Sequence, residues 1–566
     1  MKVSLDEVGN IGAVPDPAPE SLPPEAWTQA VNVRCTDMGV ETQGGFSRAM
    51  SIEVTSATTA TVALSITPWA ILPVFYGGTS WWIYAGANKV QVATATYNNT
   101  NITRQSATST ASIDAASTDK DYSASLSTNW SMVESGGVPI IAQKNDPPQY
   151  WYPPGITTRM QELDWDKSAG TKWSTRTAGA VTCEILRTFG NYVLALRTIE
   201  NSTEYPRRMR WSHPSTNGLT PYTWDESKGA YLAGRKDFEG AEGDIVDAGK
   251  LGSNVIVYCQ KGAHIARKTG DQYTFAFDPL RGSHGLFASR CWAEIKAGQH
   301  FVLTPEDLVI TDGVSWDSIG AQRWRKTLFA SIDQTHYRNT FCLRNAGKQE
   351  LWICYPTNGS ACTMALIWNW RYNTWYQREL GGVLDMALGV VQSPGSYSPL
   401  WDDAVGVWDD YQGTWDDYAS DPRQLRLIAA HPGGGLYDTS LWHMDDDTVT
   451  TPTGGAMVYR LQRTGLAISG QSIRGKLVVD NSMRKEINGV WLKVSALEGS
   501  TISVRVGGQE DPSKGVNWGR RFDYVVGDSI YAEAEINTRY IAIEIVSSAK
   551  FRLVGYQLDM EQAGTF

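Results

Sequence analysis

The residues of this chain that could do chemistry are scattered rather than spaced. Its seven histidines (213, 264, 284, 300, 336, 431 and 443) show no ligand spacing. There is no His-Glu-x-x-His, Gly-x-Ser-x-Gly, Walker loop, Gly-x-Gly-x-x-Gly opening a helix, or Cys-x-x-Cys. No catalytic residue, metal ligand set or cofactor site is expected. The densest carboxylates are Trp401-Asp402-Asp403, Trp408-Asp409-Asp410 and Trp415-Asp416-Asp417, repeating every seven residues. Calcium takes such oxygens, but the EF-hand loop pattern is absent, so the six aspartates read as a solvated acidic rim. A continuous strand would alternate the faces of these tryptophans. Gly406 and Gly413 do not suit a heptad helix. A surface extension with stacked tryptophans is expected. Carboxylate pairs suited to sugar hydrolysis remain an alternative, since their separation is unreadable from sequence. The stretch Ser215–Trp224 approaches a sialidase-like box with the wrong spacing. The basic clusters are short: Arg207, Arg208 and Arg210; Arg323, Arg325 and Lys326; Arg520 and Arg521. They read as solvated turns, with contact to an acidic neighbour or a phosphate as the functional alternative.

The elements that position these residues are strands. From about 75 to 345 a glycine is followed by a short apolar triplet: Gly78 (Trp81–Ile83), Gly137 (Ile140–Ala142), Gly190 (Val193–Ala195), Gly252 (Val255–Val257) and Gly298 (Phe301–Leu303). The intervals of 59, 53, 62 and 46 residues suit propeller blades of several short strands. Thr340–Leu343 is a related run without the glycine. Asp312-Gly313 reads as a type I′ hairpin, with Val314-Ser315-Trp316 as the return strand. The expected class is all-β: an extended N-terminal arm (1–50), a β-propeller (51–450) with a polar insertion near 93–128 and the 401–417 extension, and a β-sandwich-like domain (451–566). Prolines 15, 17, 19, 23 and 24 forbid regular structure in the arm. Its first β-like piece, Val31–Arg34, is expected to complete the last blade and tie the toroid shut.

Composition narrows the class. Of 566 residues, 42% are hydrophobic, enough for several cores, and 23 tryptophans point to half-buried sheets and interfaces. A net charge of −10 excludes wrapping of nucleic acid by counterion release. Seven cysteines without framework spacing read as free thiols of a protein assembled in a reducing cytoplasm. No apolar leader opens the sequence and no stretch is long enough to span a bilayer.

Leu22-Pro23-Pro24-Glu-Ala-Trp27, then Asn32-Val33-Arg34 and Gly44-Gly45, resembles the opening of the tail-nozzle (packaged-DNA stabilisation) proteins of short-tailed bacteriophages. Arg210-Trp211-Ser-His-Pro with Tyr222-Thr-Trp224, the 368–375 run Trp-Asn-Trp-Arg-Tyr-Asn-Thr-Trp, and the Trp-Asp-Asp triplets are similar to the same group. The resemblance covers residues 20–50 and, loosely, 180–440. It implies a non-catalytic virion protein forming a six-fold ring at the distal end of the tail channel. It implies tail adaptor or portal-proximal neighbours, fibres or spikes, and DNA that passes without sequence recognition. It also implies that Leu22, Pro23, Pro24, Trp27, Asn32, Val33 and Arg34 contact partners. The alternative is a tail-associated propeller that binds or hydrolyses glycans.

Overall fold

The computed structural model describes residues 2–48, 53–55, 58–60, 66–76, 79–94, 99–104, 121–153, 159–240, 242–270, 274–390, 425–432, 440–446, 449–451, 455–473 and 476–564. Seven four-stranded antiparallel units make a propeller. Their innermost strands are Ala70–Tyr76, Ser131–Ser135, Val181–Phe189, Ile245–Leu251, Trp292–Lys296, Phe341–Asn345 and Asp385–Val390. Each packs beside the next, and the seventh packs beside the first, so the ring is closed. We number the blades 1 to 7 in that order.

The glycine repeat marks the turn from the innermost strand to the second strand. Gly137, Gly190, Gly252 and Gly298 have φ of +85°, +55°, +58° and +77°, conformations an L side chain resists. The apolar triplets are the middles of second strands, buried on both faces between blades. In blade 6 the run Phe341–Leu343 belongs instead to the innermost strand, and Gln349 (φ +55°) takes the glycine's place before Glu350–Tyr355. The 312–315 turn also differs from expectation. Only Gly313 is left-handed. The Asp312 carboxylate accepts from Val314 N and Ser315 N, which delays the return strand to Trp316–Ser318.

The tryptophan excess fills wedges between and beneath blades. Trp81 meets Trp151 edge-on at 5.5 Å, and Trp173 meets Trp224 at 5.0 Å. Such pairs add about 1 kcal/mol each beyond the area they bury. All seven cysteines are buried free thiols. Part of the expected 93–128 insertion is blade 1 itself, whose outer strands are Val90–Thr94 and Asn99–Asn101. Residues 105–120, and the whole 401–417 repeat with Trp401, Asp402, Asp403, Trp408, Asp409, Asp410, Trp415, Asp416 and Asp417, lie outside the described residues. Among the described residues, no helix is long and apolar enough to cross a membrane.

The sandwich is built by both ends of the chain. One sheet runs Val33–Thr36, Gly39–Thr42, Phe551–Gly564, Arg484–Ala496, Ala532–Thr538, with Lys2–Asp6 also on Phe551–Gly564. The other runs Gln29–Val31, Tyr459–Leu466, Tyr540–Ser547, Thr501–Gln509, Asn517–Val525. The expected extended arm is part of the sandwich: residues 2–42 supply strands to both sheets, because strands with apolar faces bury them against the nearest open sheet. One buried apolar cluster runs without a break from blades 4–7 into the sandwich.

The expectation that Val31–Arg34 closes the propeller is also corrected. Blade 7 is completed by Gly45–Arg48, with Met444 opposite Phe46 and Trp442 opposite Arg48. Val31 instead pairs in parallel with Gln377 on the outer strand of blade 6, splicing that blade into the sandwich.

If Gly45–Arg48 is the latch, Phe46→Ala should lower stability by about 3–5 kcal/mol, the cost of emptying a buried phenyl site. Hydrogen exchange should then accelerate most in 385–390 and 425–431, while 181–211 keeps its protection. A uniform loss across all blades would show that the latch is not local to blade 7.

Candidate functional site

The arm motif lies at the seam where propeller and sandwich meet. Prolines 19, 23 and 24 donate no backbone hydrogen bond, so their turn presents carbonyls. Arg463, buried on the facing strand, donates to Pro19 O at 2.8 Å and Leu22 O at 3.1 Å. Burial pushes that guanidinium down to about 10, against the opposing charges of Glu25 and Glu20. Leu22 packs on Val14 and Ala26, while Pro23 is exposed and Pro24 half-buried. Trp27 is buried, its Nε1 donating to Val8 O at 2.5 Å and its ring 6.1 Å from that of Tyr556.

Asn32 is the splice point. At φ +60° it turns the chain from one sandwich sheet into the other, a conformation that Asn tolerates better than most residues. Its side chain donates to Val458 O (2.8 Å) and Glu379 Oε2 (3.1 Å) and accepts from Glu379 N (2.9 Å). Val33, fully buried, follows it into the second sheet.

Arg34 then enters a buried ion cluster. Its Nε donates to Glu350 Oε1 at 2.5 Å and its Nη2 to Asp445 Oδ2 at 2.8 Å. Glu350 also accepts from the Tyr376 hydroxyl (2.8 Å) and Trp352 Nε1 (3.0 Å). Asp445 sits on a bulge at φ +61° that aims its carboxylate inward, where it accepts from Gly44 N and Lys348 Nζ. Arg378 donates to Gln43 Oε1 and to the carbonyls of Gly44 and Gly45. The cluster thus grips the start of the latch strand from blades 6 and 7 together. Leu22, Trp27, Asn32, Val33 and Arg34 are spent inside the chain, so the expectation that they contact a partner is replaced by an internal role.

The basic clusters divide. Arg208 and Arg210 are buried on Glu200, at 3.0 and 2.8 Å. Burial alone would raise that carboxyl, but the hydrogen bonds and charges of Arg210 and Arg208 hold it at about 2. They are not solvated turns, because on a strand they alternate into the blade. Arg520 and Arg521 are exposed on the edge strand Asn517–Val525. Among the described residues no group of three or more His, Cys, Asp or Glu could hold a metal ion.

A second feature lies on the propeller axis. A cavity of about 1100 Å³ opens at the face where the innermost strands begin. Polar contacts in and beneath its wall join successive blades. Asn129 donates to Trp69 O (blades 2 and 1), and Arg187 donates to Ser131 Oγ and Asp247 (blades 2, 3 and 4). Asp247 also accepts from Ser289 Oγ and Arg290 N, which lead into blade 5. Arg290 crosses Phe341 of blade 6 to pair with Asp385 of blade 7, and Asp385 accepts from Ile71 N of blade 1. Arg187, Asp247, Arg290 and Asp385 carried no signal in the sequence, because each lies a blade or more from its partner.

No protein-family profile matches the chain, and no curated protein matches it in sequence. Among solved structures, similarity is found to a functionally unknown protein from Desulfotomaculum acetoxidans DSM 771 (11% identity, 52% of this chain and 86% of that one, TM-score 0.27). It is also found to YCF48 bound to D1 peptide (13%, 58% and 87%, TM-score 0.28). A third is a quinonprotein alcohol dehydrogenase-like protein from Bacteroides thetaiotaomicron VPI-5482 (8%, 57% and 68%, TM-score 0.28). The blade count and order above rest on this chain's own strand pairing.

Two outcomes test the seam. Asn32→Ala should cost about 2–4 kcal/mol, from left-handed strain and lost hydrogen bonds. Asn32→Gly, which keeps the backbone angle, should cost about 1 kcal/mol less. Equal losses in denaturant melts would mean that φ is irrelevant there. The second outcome concerns pH. Burial works to raise the Asp445 carboxyl, but Arg34, Arg378 and Lys348 hold it below the ordinary carboxylate range. A depressed folded value stabilises above the unfolded value, about pH 4, and that stability drains away as pH falls below it. Asp445→Asn should therefore be less stable at pH 7 and lose less on acidification. An acid limb as steep as wild type would exclude Asp445 as its source.

Proposed function

We propose that this chain is a structural, non-catalytic subunit of a short-tailed phage virion. It assembles as a ring, six-fold by the resemblance, at the distal end of the tail channel, where it retains packaged DNA and lets it pass at ejection. One observation carries the reading. The residues that give the resemblance, Leu22, Trp27, Asn32, Arg34 and the Gly44-Gly45 pair, are those that lock a propeller to a sandwich along one buried seam. A shared motif of that kind maintains an architecture rather than a reaction. The seam supports use as a rigid wall element, since the sixth blade and a sandwich sheet are one continuous sheet. The net charge of −10 supports passage of DNA without adhesion. A belt of ion pairs and hydrogen bonds surrounds the propeller axis, so in this reading the DNA path is the lumen between subunits. Its neighbours would be tail adaptor or portal-proximal proteins, with fibres or spikes at the periphery.

Negative-stain electron microscopy and light scattering of the purified chain test this. Closed rings of one symmetry are expected at micromolar concentration. A monodisperse monomer that stays monomeric after chemical cross-linking would overturn the ring.

A further inference from the structure

The axial cavity carries an unspent cationic surface. Its wall holds five basic side chains, Lys144, Arg187, Arg197, Arg290 and Arg338, against three carboxylates, Glu184, Asp244 and Asp385. Three of the five are consumed. Lys144 and Arg197 both pair with Glu184, and Arg187 pairs with the buried Asp247. Two are not.

Arg290 pairs with Asp385 through Nη2 alone. Its Nε and Nη1 make no hydrogen bond among the described residues, and 35% of its side chain is open. The residue is held at φ +66°, an unfavourable angle for a side chain of this size. Its N donates to Asp247 at 2.7 Å and its carbonyl accepts from Cys342 N at 2.8 Å. Such a strained position persists only where the surroundings over-determine it, and these positions concentrate at ligand sites.

Arg338 lies in the short 3-10 turn Tyr337–Asn339 that leads into blade 6. It has no ion pair among the described residues, and its one side-chain hydrogen bond is Nε to its neighbour's hydroxyl, Tyr337, at 3.4 Å. Two residues on, Thr340 is 1% exposed and its Oγ1 has no partner. The segments holding Arg290 and Thr340 lie side by side, since Cys291 Sγ donates to Thr340 O at 3.2 Å. Unused guanidinium donors of Arg290 and Arg338 thus line one cavity, with the buried Thr340 hydroxyl behind its wall. The wall also carries apolar side chains from several blades: Leu72, Ile185, Phe287, Phe341 and Leu388.

We propose that this axial cavity binds an anionic group, a carboxylate or phosphate borne on a small organic ligand. Arg290 and Arg338 are its guanidinium donors. Guanidinium is the side chain suited to forked binding of either anion. The cavity volume sets a small-molecule size, and the mixed polar and apolar wall accommodates an organic body. The site does not depend on ring assembly.

Calorimetric titration of the full-length protein with inorganic phosphate and with citrate tests this, with glucose as the neutral control. Saturable binding of at least one anion is expected, and none of glucose; phosphate against citrate tells which group the cavity prefers. Arg338→Gln, an exposed position, should leave the melting temperature unchanged. It should weaken anion binding about ten-fold, the effect of one charge-assisted hydrogen bond. Arg290→Lys, which keeps the charge but loses the fork, should weaken binding and guards against misfolding of a neutral variant. Absence of saturable anion binding, or equal affinity in wild type and both variants, would overturn the proposal.

Discussion

A propeller is a ring of sheets that must be joined somewhere, and here the join is a strand from the far end of the chain. Gly44 N binds Asp445 across 401 residues of sequence. Four residues of strand are a weak latch by themselves. The Arg34–Glu350–Asp445–Arg378 cluster makes it specific. Each carboxylate is held by several donors, and each arginine bridges elements that no local interaction connects. Buried ion pairs add little net stability over an apolar core, but removing one partner is costly because the other charge is stranded. The cluster is therefore better understood as a registry device than as a source of free energy. It tolerates one docking of the arm and penalises the rest.

That constraint propagates outward. Because the arm must reach blade 7, residues 2–42 are led across the sandwich, and the sandwich needs them: Lys2–Asp6 and Gly39–Thr42 cover one side of the strand Phe551–Gly564. The propeller is completed within 45–446, whereas the sandwich joins 2–42 to 459–564 around it. The apolar cluster shared by blades 4–7 and the sandwich follows from this sharing. Contacts of such sequence separation form late and slowly. The latch is thus the step on which propeller and sandwich close together.

What the sequence disclosed follows from how local each signal is. The inner turns were legible at Gly137, Gly190, Gly252 and Gly298 because a left-handed turn residue is a one-residue requirement. Blade 6 slipped out of register because Gln349 adopts the same angle without being glycine. The latch was misplaced by about a dozen residues. Val31–Arg34 has the stronger β composition, whereas Gly45–Arg48 has one large apolar residue and a partner at the other end of the chain. Arg208 and Arg210 were read as solvated because adjacency in sequence suggests a turn. Their burial depends on Glu200, which only strand pairing brings opposite. The axial site left no trace in the sequence, since Arg290 and Asp385 are 95 residues apart and neither belongs to a motif.

An acidic protein and a cationic cavity are compatible because charge acts over short distances. At physiological ionic strength the field of an exposed charge decays within about 8 Å. The overall excess of carboxylates therefore acts on large polyanions that meet the surface, which the proposed function needs not to adhere. A small anion entering the axial cavity leaves that averaged field and meets Arg290 and Arg338 in a setting where bulk screening is reduced. The belt pairs Arg187–Asp247 and Arg290–Asp385 meanwhile link blade 3 to blade 4 and blade 5 to blade 7 around that cavity. Arg290 serves both purposes: one nitrogen secures the ring while the others face the space the ring encloses.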